Sequence, residues 1–219
     1  MSSRGRTSFN TTCDSALASA VALRVQQERV RETTWWAEEL DAVLLIEDPA
    51  ERRAARAELQ SELERRRASG KFRASRDALL RHAIEELLSE RGWTKRYRPI
   101  PAGAASIPGR PWGKPLENGQ TGDKQGRLSV NLPEKLWEQV RRIAYWESAP
   151  AVAKLQKWHR RFGDGPGWAE REGNVLAMMV VALGPQPRAE DMQERRELRD
   201  KIITTGDILR DAAYRAVRT

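Results

Sequence analysis

Three scarcities narrow what this chain can be. Cysteine occurs once, at Cys13, which excludes an internal disulfide and fits a reducing compartment. Histidine occurs only at His82 and His159. A lone cysteine and two distant histidines lack the close ligand spacing of a metal site, and neither histidine sits in a defensible nucleophilic triad. Long apolar runs are missing too: the longest, 175–183, falls well short of the ~20 residues a membrane span needs and suggests a core helix. The opening residues 1–6 lead into no apolar signal-peptide segment. The glycine-rich stretch 163–167 lacks the Gly-Lys-Ser/Thr ending of a phosphate loop and reads as a turn. The expectation is a cytoplasmic protein that is not an enzyme and carries no metal or cofactor.

What the chain has in excess is positive charge. Lysine and arginine number 39 against 31 aspartates and glutamates, a net charge of +8 with a pI near 10.0. Such a balance favours polyanionic partners: DNA, RNA or an anionic membrane. With 219 residues, 32% charged and 39% hydrophobic, the composition is that of a soluble globular protein with room for real cores.

The most informative stretch is 126–148, GRLSVNLPEKLWEQVRRIAYWES. Arg127, Ser129 and Asn131 alternate with Leu128, Val130 and Leu132, the period-2 pattern of a half-buried strand. Pro133 ends that strand at a position suited to the first turn of a helix, and Leu136, Val140 and Ile143 follow at helical spacing. The polar face of the strand suits base edges. Arginine donates twice to guanine, asparagine pairs bidentately with adenine, and serine accepts either.

The run R-L-S-V-N-L-P followed by an amphipathic helix resembles the ribbon-helix-helix DNA-binding proteins, the Arc and MetJ repressor superfamily. The resemblance implies an antiparallel two-stranded ribbon in the major groove, with Arg127, Ser129 and Asn131 on the bases and the leucines and valine packed on helices. The start of the chain carries a related strand, Arg6-Thr7-Ser8-Phe9-Asn10-Thr11, so Arg6, Ser8 and Asn10 become the matching base readers. Thr12 or Asp14 can cap the helix that follows through Leu17, Val21 and Val25.

Further echoes point to an internal duplication. Trp36-Ala37-Glu38-Glu39 before an apolar run is answered by Trp168-Ala169-Glu170-Arg171 before another. Prolines then mark a break, at Pro49 and at Pro185 with Pro187, ahead of charged helices expected at 51–67 and 189–201. Ser75-Arg76-Asp77 and Thr205-Gly206-Asp207 open similar last helices. The tandem arrangement resembles that of the TraY relaxosome proteins. The expected fold is mainly α: two ribbon-helix-helix-like halves, 1–92 and 127–219, sharing one intramolecular ribbon. Residues 93–126, rich in proline and glycine, form the linker between them. In this family the second helix follows the first after a short turn; here 25–75 and 148–205 intervene and are expected to be helical insertions.

The starts of the last helices are expected to bind DNA phosphates: Ser75 and Arg76 in one half, Thr204, Thr205 and Gly206 in the other. Lys157 and Arg160, in a basic aromatic cluster with Lys154, Trp158, His159, Arg161 and Phe162, are the other phosphate candidates, and Lys95, Arg96 and Arg98 could act as a further arm. The sequence therefore points to a sequence-specific double-stranded-DNA-binding protein, a pseudo-dimer within one chain. Its setting, by resemblance, is a prokaryotic, plasmid or phage transcriptional regulator such as a repressor, or a partition or relaxosome accessory factor. The alternative is a helical interaction or scaffold protein that holds a protein partner through its inserted helices.

Overall fold

A computed structural model describes residues 6–104, 125–162 and 187–218. Among these the protein is mainly helical, with one two-stranded antiparallel sheet. Strand β1 (Arg6–Asp14) leads into helix α1 (Ser15–Leu44), followed by α2 (Pro49–Ala68) and α3 (Arg76–Glu90). Strand β2 (Gln125–Pro133) leads into α4 (Glu134–Phe162), and α5 (Ala189–Asp200) and α6 (Thr205–Arg218) close the chain. The second tryptophan echo and its apolar run at 168–183, the 163–167 turn and most of the linker lie outside the described residues.

The two strands expected at 6–11 and 127–132 do pair, and both are longer than that. Their register sets Phe9 opposite Val130, Ser8 opposite Asn131 and Asn10 opposite Ser129. Leu128, Val130 and Leu132 are each about 1% exposed, while Arg127 and Asn131 face solvent, as the alternation requires. On β1, Ser8 and Asn10 are exposed, as is Asp14 at its end, and Cys13 is buried. Phe9 turns inward onto Trp137 at the start of α4, ring centroids 4.7 Å apart.

Each strand passes into its helix by a different local device. Asp14 accepts from the N–H of Ala16 at 2.8 Å and caps α1. Pro133 ends β2, with α4 starting at the next residue. The first joint is two residues longer: Ser15 lies nine positions after Arg6, and Glu134 seven positions after Arg127. Helix α1 then does not stop where a short ribbon helix would. It runs on for 30 residues, ~45 Å, and α2 returns along it, so the segment expected as an insertion at 25–75 is a helical hairpin that begins as an extension of α1. Its two arms are joined by the Arg67–Glu32 ion pair and by Arg66 stacked over Trp35, which also contacts Phe72. Asp48 caps α2, with Pro49 at its first position.

The α2–α3 corner is a Schellman turn. Lys71 N–H donates to Arg66 C=O and Gly70 N–H to Arg67 C=O, with Gly70 at φ +76°. A Cβ on Gly70 would lie 2.9 Å from the His82 ring, so glycine is required for space as well as for conformation. Helix α3 ends the same way: Trp93 N–H reaches Leu88 C=O and Gly92 N–H reaches Ser89 C=O, and Trp93 is buried. The start of the expected linker is thus packed at Trp93.

The described residues fall into two compact units. The first takes in the described parts of Met1–Lys95, Thr121–Trp137 and Ile208–Thr219, and so draws on both ends of the chain. Its core includes Leu17 and Val21 of α1, Leu79, Leu80 and Ile84 of α3, the inner face of β2, and Ile208 and Leu209 of α6. Helices α3 and α6 are tied by Arg91–Asp211 at 2.7 Å and by Arg215 to Glu86 and Glu90. The second unit holds the described parts of Arg96–Gln120 and Glu138–Asp207. There Leu155 of α4 clusters with Leu198 and Ile202, and the buried Ser148 hydroxyl donates to Ile203 C=O and accepts from Ile203 N–H. Helix α4 continues through Ser148 and Pro150 to Phe162, so in this half too the first helix is extended.

Candidate nucleic-acid interface

The candidate site is the outer face of the ribbon, in the first compact unit. Strand pairing stacks three pairs of polar residues across it: Ser8 with Asn131, Asn10 with Ser129, and Thr12 with Arg127. Between the strands the Ser129 hydroxyl and the Asn10 carboxamide oxygen are hydrogen-bonded. Arg127 is exposed, and no hydrogen bond or ion pair holds its guanidinium among the described residues. Arg6 pairs with Pro133 at the end of the ladder.

Both open edges of the ribbon are met by side chains from the last helix of the opposite half. Asp77, in the first turn of α3, accepts from the backbone N–H of Asn131 and from its Nδ2, each at 3.0 Å. Arg210 of α6 donates to Thr11 Oγ1 and to Thr12 C=O, each at 3.0 Å. An unpaired strand edge leaves donors and acceptors open, and these two groups occupy part of it. The crossing explains why the first unit draws on both ends of the chain. Cys13, near the end of β1, has its thiol pushed up by burial first and by neighbouring Asp14 second. It is a packed residue, not a reactive one.

The structure brings some of the expected phosphate residues to this face. Ser75 and Arg76 are exposed at the start of α3, one and two positions from the Asp77 that grips Asn131. Ser75 caps α3 by accepting from Ala78 N–H at 3.1 Å. The corresponding cap on α6 is Thr204, whose hydroxyl accepts from Asp207 N–H at 3.1 Å while the Asp207 carboxylate accepts from Thr204 N–H. Ser75 therefore corresponds to Thr204 and not to Thr205, and Asp77 to Gly206. Burial follows the same correspondence: Leu79, Leu80, Ala83 and Ile84 match Ile208, Leu209, Ala212 and Ala213. Thr204, Thr205 and Gly206 belong to the second unit, as do the exposed Lys157 and Arg160 near the end of α4. In that stretch Trp158 is buried, its Nε1 donates to Asp191 C=O, and Arg195 lies over its ring. Arg98, a linker candidate, is exposed and gives its carbonyl to Trp146 Nε1.

Sequence reasoning missed two residues of the site, Asp77 and Arg210. Neither carries a local signal, because their partners lie 54 and 198 or 199 positions away. Among the described residues no cluster of His, Cys, Asp and Glu could hold a metal ion, and no helix is long and apolar enough to cross a membrane. No family model, no curated protein and no solved structure matches the chain.

Proposed function

We propose that this protein binds double-stranded DNA sequence-specifically by laying the β1–β2 ribbon in the major groove. The observation that carries this reading is the register of the ribbon. It puts Ser8, Asn10, Arg127, Ser129 and Asn131 on one face while Leu128, Val130 and Leu132 are sealed on the other. Two strands lie ~4.8 Å apart, and a groove ~12 Å wide admits such a ribbon with its side chains on base edges. The net charge of +8 supports a polyanionic partner, and exposed Arg76 beside the ribbon suits a phosphate contact.

In this reading the chain is a duplicated ribbon-helix-helix protein whose two halves supply one strand each. The register supports it. With Phe9 and Val130 at its centre, it exchanges Ser8 for Ser129 and Asn10 for Asn131, as a local twofold axis through the ribbon would. The setting that fits is a prokaryotic, plasmid or phage transcriptional regulator, or a partition or relaxosome accessory factor. One observation favours a second role, the holding of a protein partner by the α1–α2 hairpin: Leu44 and Leu45 at its far end are 57% and 83% exposed.

Selection of bound fragments from random duplex DNA, read by sequencing, tests the proposal. One motif should be enriched. Arg127→Ala and Asn131→Ala should each cost about 1–3 kcal/mol on the selected DNA and relax one base position, with a smaller loss on scrambled DNA. Failure to enrich any motif, or an unchanged ratio of selected to scrambled affinity in both variants, overturns the DNA reading.

A further inference from the structure

The polar face of the ribbon carries two asparagines, and the groups that hold them differ. Asn10 meets the Ser129 hydroxyl. A hydroxyl both donates and accepts, so the Asn10 amide can turn over and keep the bond. Asn131 meets the Asp77 carboxylate, which only accepts. Were the Asn131 amide reversed, its Oδ1 would face a carboxylate oxygen, acceptor against acceptor. Asp77 also takes the backbone N–H of the same residue at 3.0 Å, so both carboxylate oxygens are engaged and the side chain is held at two points. Helix α3 does not need Asp77 as its cap, because Ser75 performs that task.

We infer that Asp77 is a positioning residue that presets the Asn131 amide for adenine, an inference that rests on the DNA reading above. Adenine requires one amide N–H for N7 and the amide oxygen for the N6 amino group. Asp77 uses one of the two Nδ2 hydrogens and leaves the second hydrogen and Oδ1. The donor and acceptor thus meet the groove in a fixed order at no cost in side-chain freedom at the moment of binding. The site is one-sided: the residue that corresponds to Asp77 in α6 is Gly206, which has no carboxylate to offer. The bound sequence is accordingly not a true palindrome, being strict for adenine at the Asn131 position and broader where Asn10 reads.

The test uses the full chain and a randomised duplex DNA library, with the wild type, Asn131→Ala, Asp77→Ala, Asp77→Asn and the Asp77→Ala/Asn131→Ala double variant. Thermal melting by circular dichroism sets a temperature at which every variant is folded. Asp77→Asn keeps the size of the side chain but offers Asn131 only one accepting oxygen, so it supplies the answer if Asp77→Ala folds poorly. Expected is a loss of adenine preference of roughly fivefold or more in both Asp77 variants. The loss falls at the same single position that Asn131→Ala relaxes, with the rest of the motif kept and no further loss in the double variant. Weakening of all duplexes alike would show that Asp77 only ties α3 to the ribbon and would overturn the inference. So would a sharper adenine preference without Asp77, since the carboxylate would then be masking Asn131. If Asn131→Ala relaxes one position and the Asp77 variants do not, the positioning role falls and the DNA reading stands. If the wild type enriches no motif, both fall.

Discussion

At the scale of single residues, the two Schellman glycines separate backbone conformation from space. Gly70 and Gly92 have φ of +76° and +65°, so a side chain at either strains the backbone. Only at Gly70 does a Cβ collide, 2.9 Å from the His82 ring, while nothing lies within 4 Å of one on Gly92. Gly92→Ala should therefore cost about 1–2 kcal/mol, and Gly70→Ala should cost more, because His82 must also move away from its contact with Glu86. Denaturant unfolding of the two variants measures the difference. Equal losses would mean that the ring yields freely.

At the scale of elements, the ribbon and its helices depend on one another. Two isolated strands are marginal in water, and β2 holds its place because Leu128, Val130 and Leu132 are buried. Val130→Asp places an unpaired charge in that layer opposite Phe9. It should cost several kcal/mol and remove DNA binding of every sequence, whereas Ser129→Ala on the outer face should leave the melting temperature nearly unchanged. Circular dichroism melting of both variants decides this, and a stable Val130→Asp protein would mean the inner face is not core. The helical hairpin is a separate matter. Glu62, in α2, has its carboxyl held below the usual range chiefly by its hydrogen bond to Arg66, with Arg65 and Lys71 adding to the effect. A lowered folded-state value means that whatever this contact contributes is present above the ordinary carboxylate range and is lost as pH falls through the lowered value.

At the scale of the whole molecule, the proposed DNA binding makes charge the first determinant of affinity. With +8 overall, binding to any duplex should weaken steeply with salt, the logarithm of affinity falling by about 0.9 per phosphate neutralised for each tenfold rise in salt. Lys157→Ala and Arg160→Ala should each lower affinity for selected and scrambled DNA alike and reduce that slope by about 1. Fluorescence anisotropy at several salt concentrations reads both quantities. A flat salt response would remove the electrostatic part of the DNA reading and favour a protein partner on the hairpin.

The sequence by itself determined the strands, their inner and outer faces, and most of the helices with their caps. These features are written in alternation, in helical spacing and in short-range partners such as Asp14 with Ala16 or Ser75 with Ala78. It also showed which two strands would meet, because their polar residues repeat in the same order. What only the tertiary structure decided is what each polar residue touches. Asn131 looked like a free reader, but Asp77 of a helix 54 positions away grips it, and the edge of β1 is met by Arg210. The extension of α1 into a hairpin was equally hidden, since a helical pattern records which residues are apolar and not where a helix must end. Even the correspondence of the last helices needed the fold. Matching letters pair Asp77 with Asp207, whereas caps and burial pair Ser75 with Thr204, because a helix is registered by the core it covers and not by the residues it shares with another.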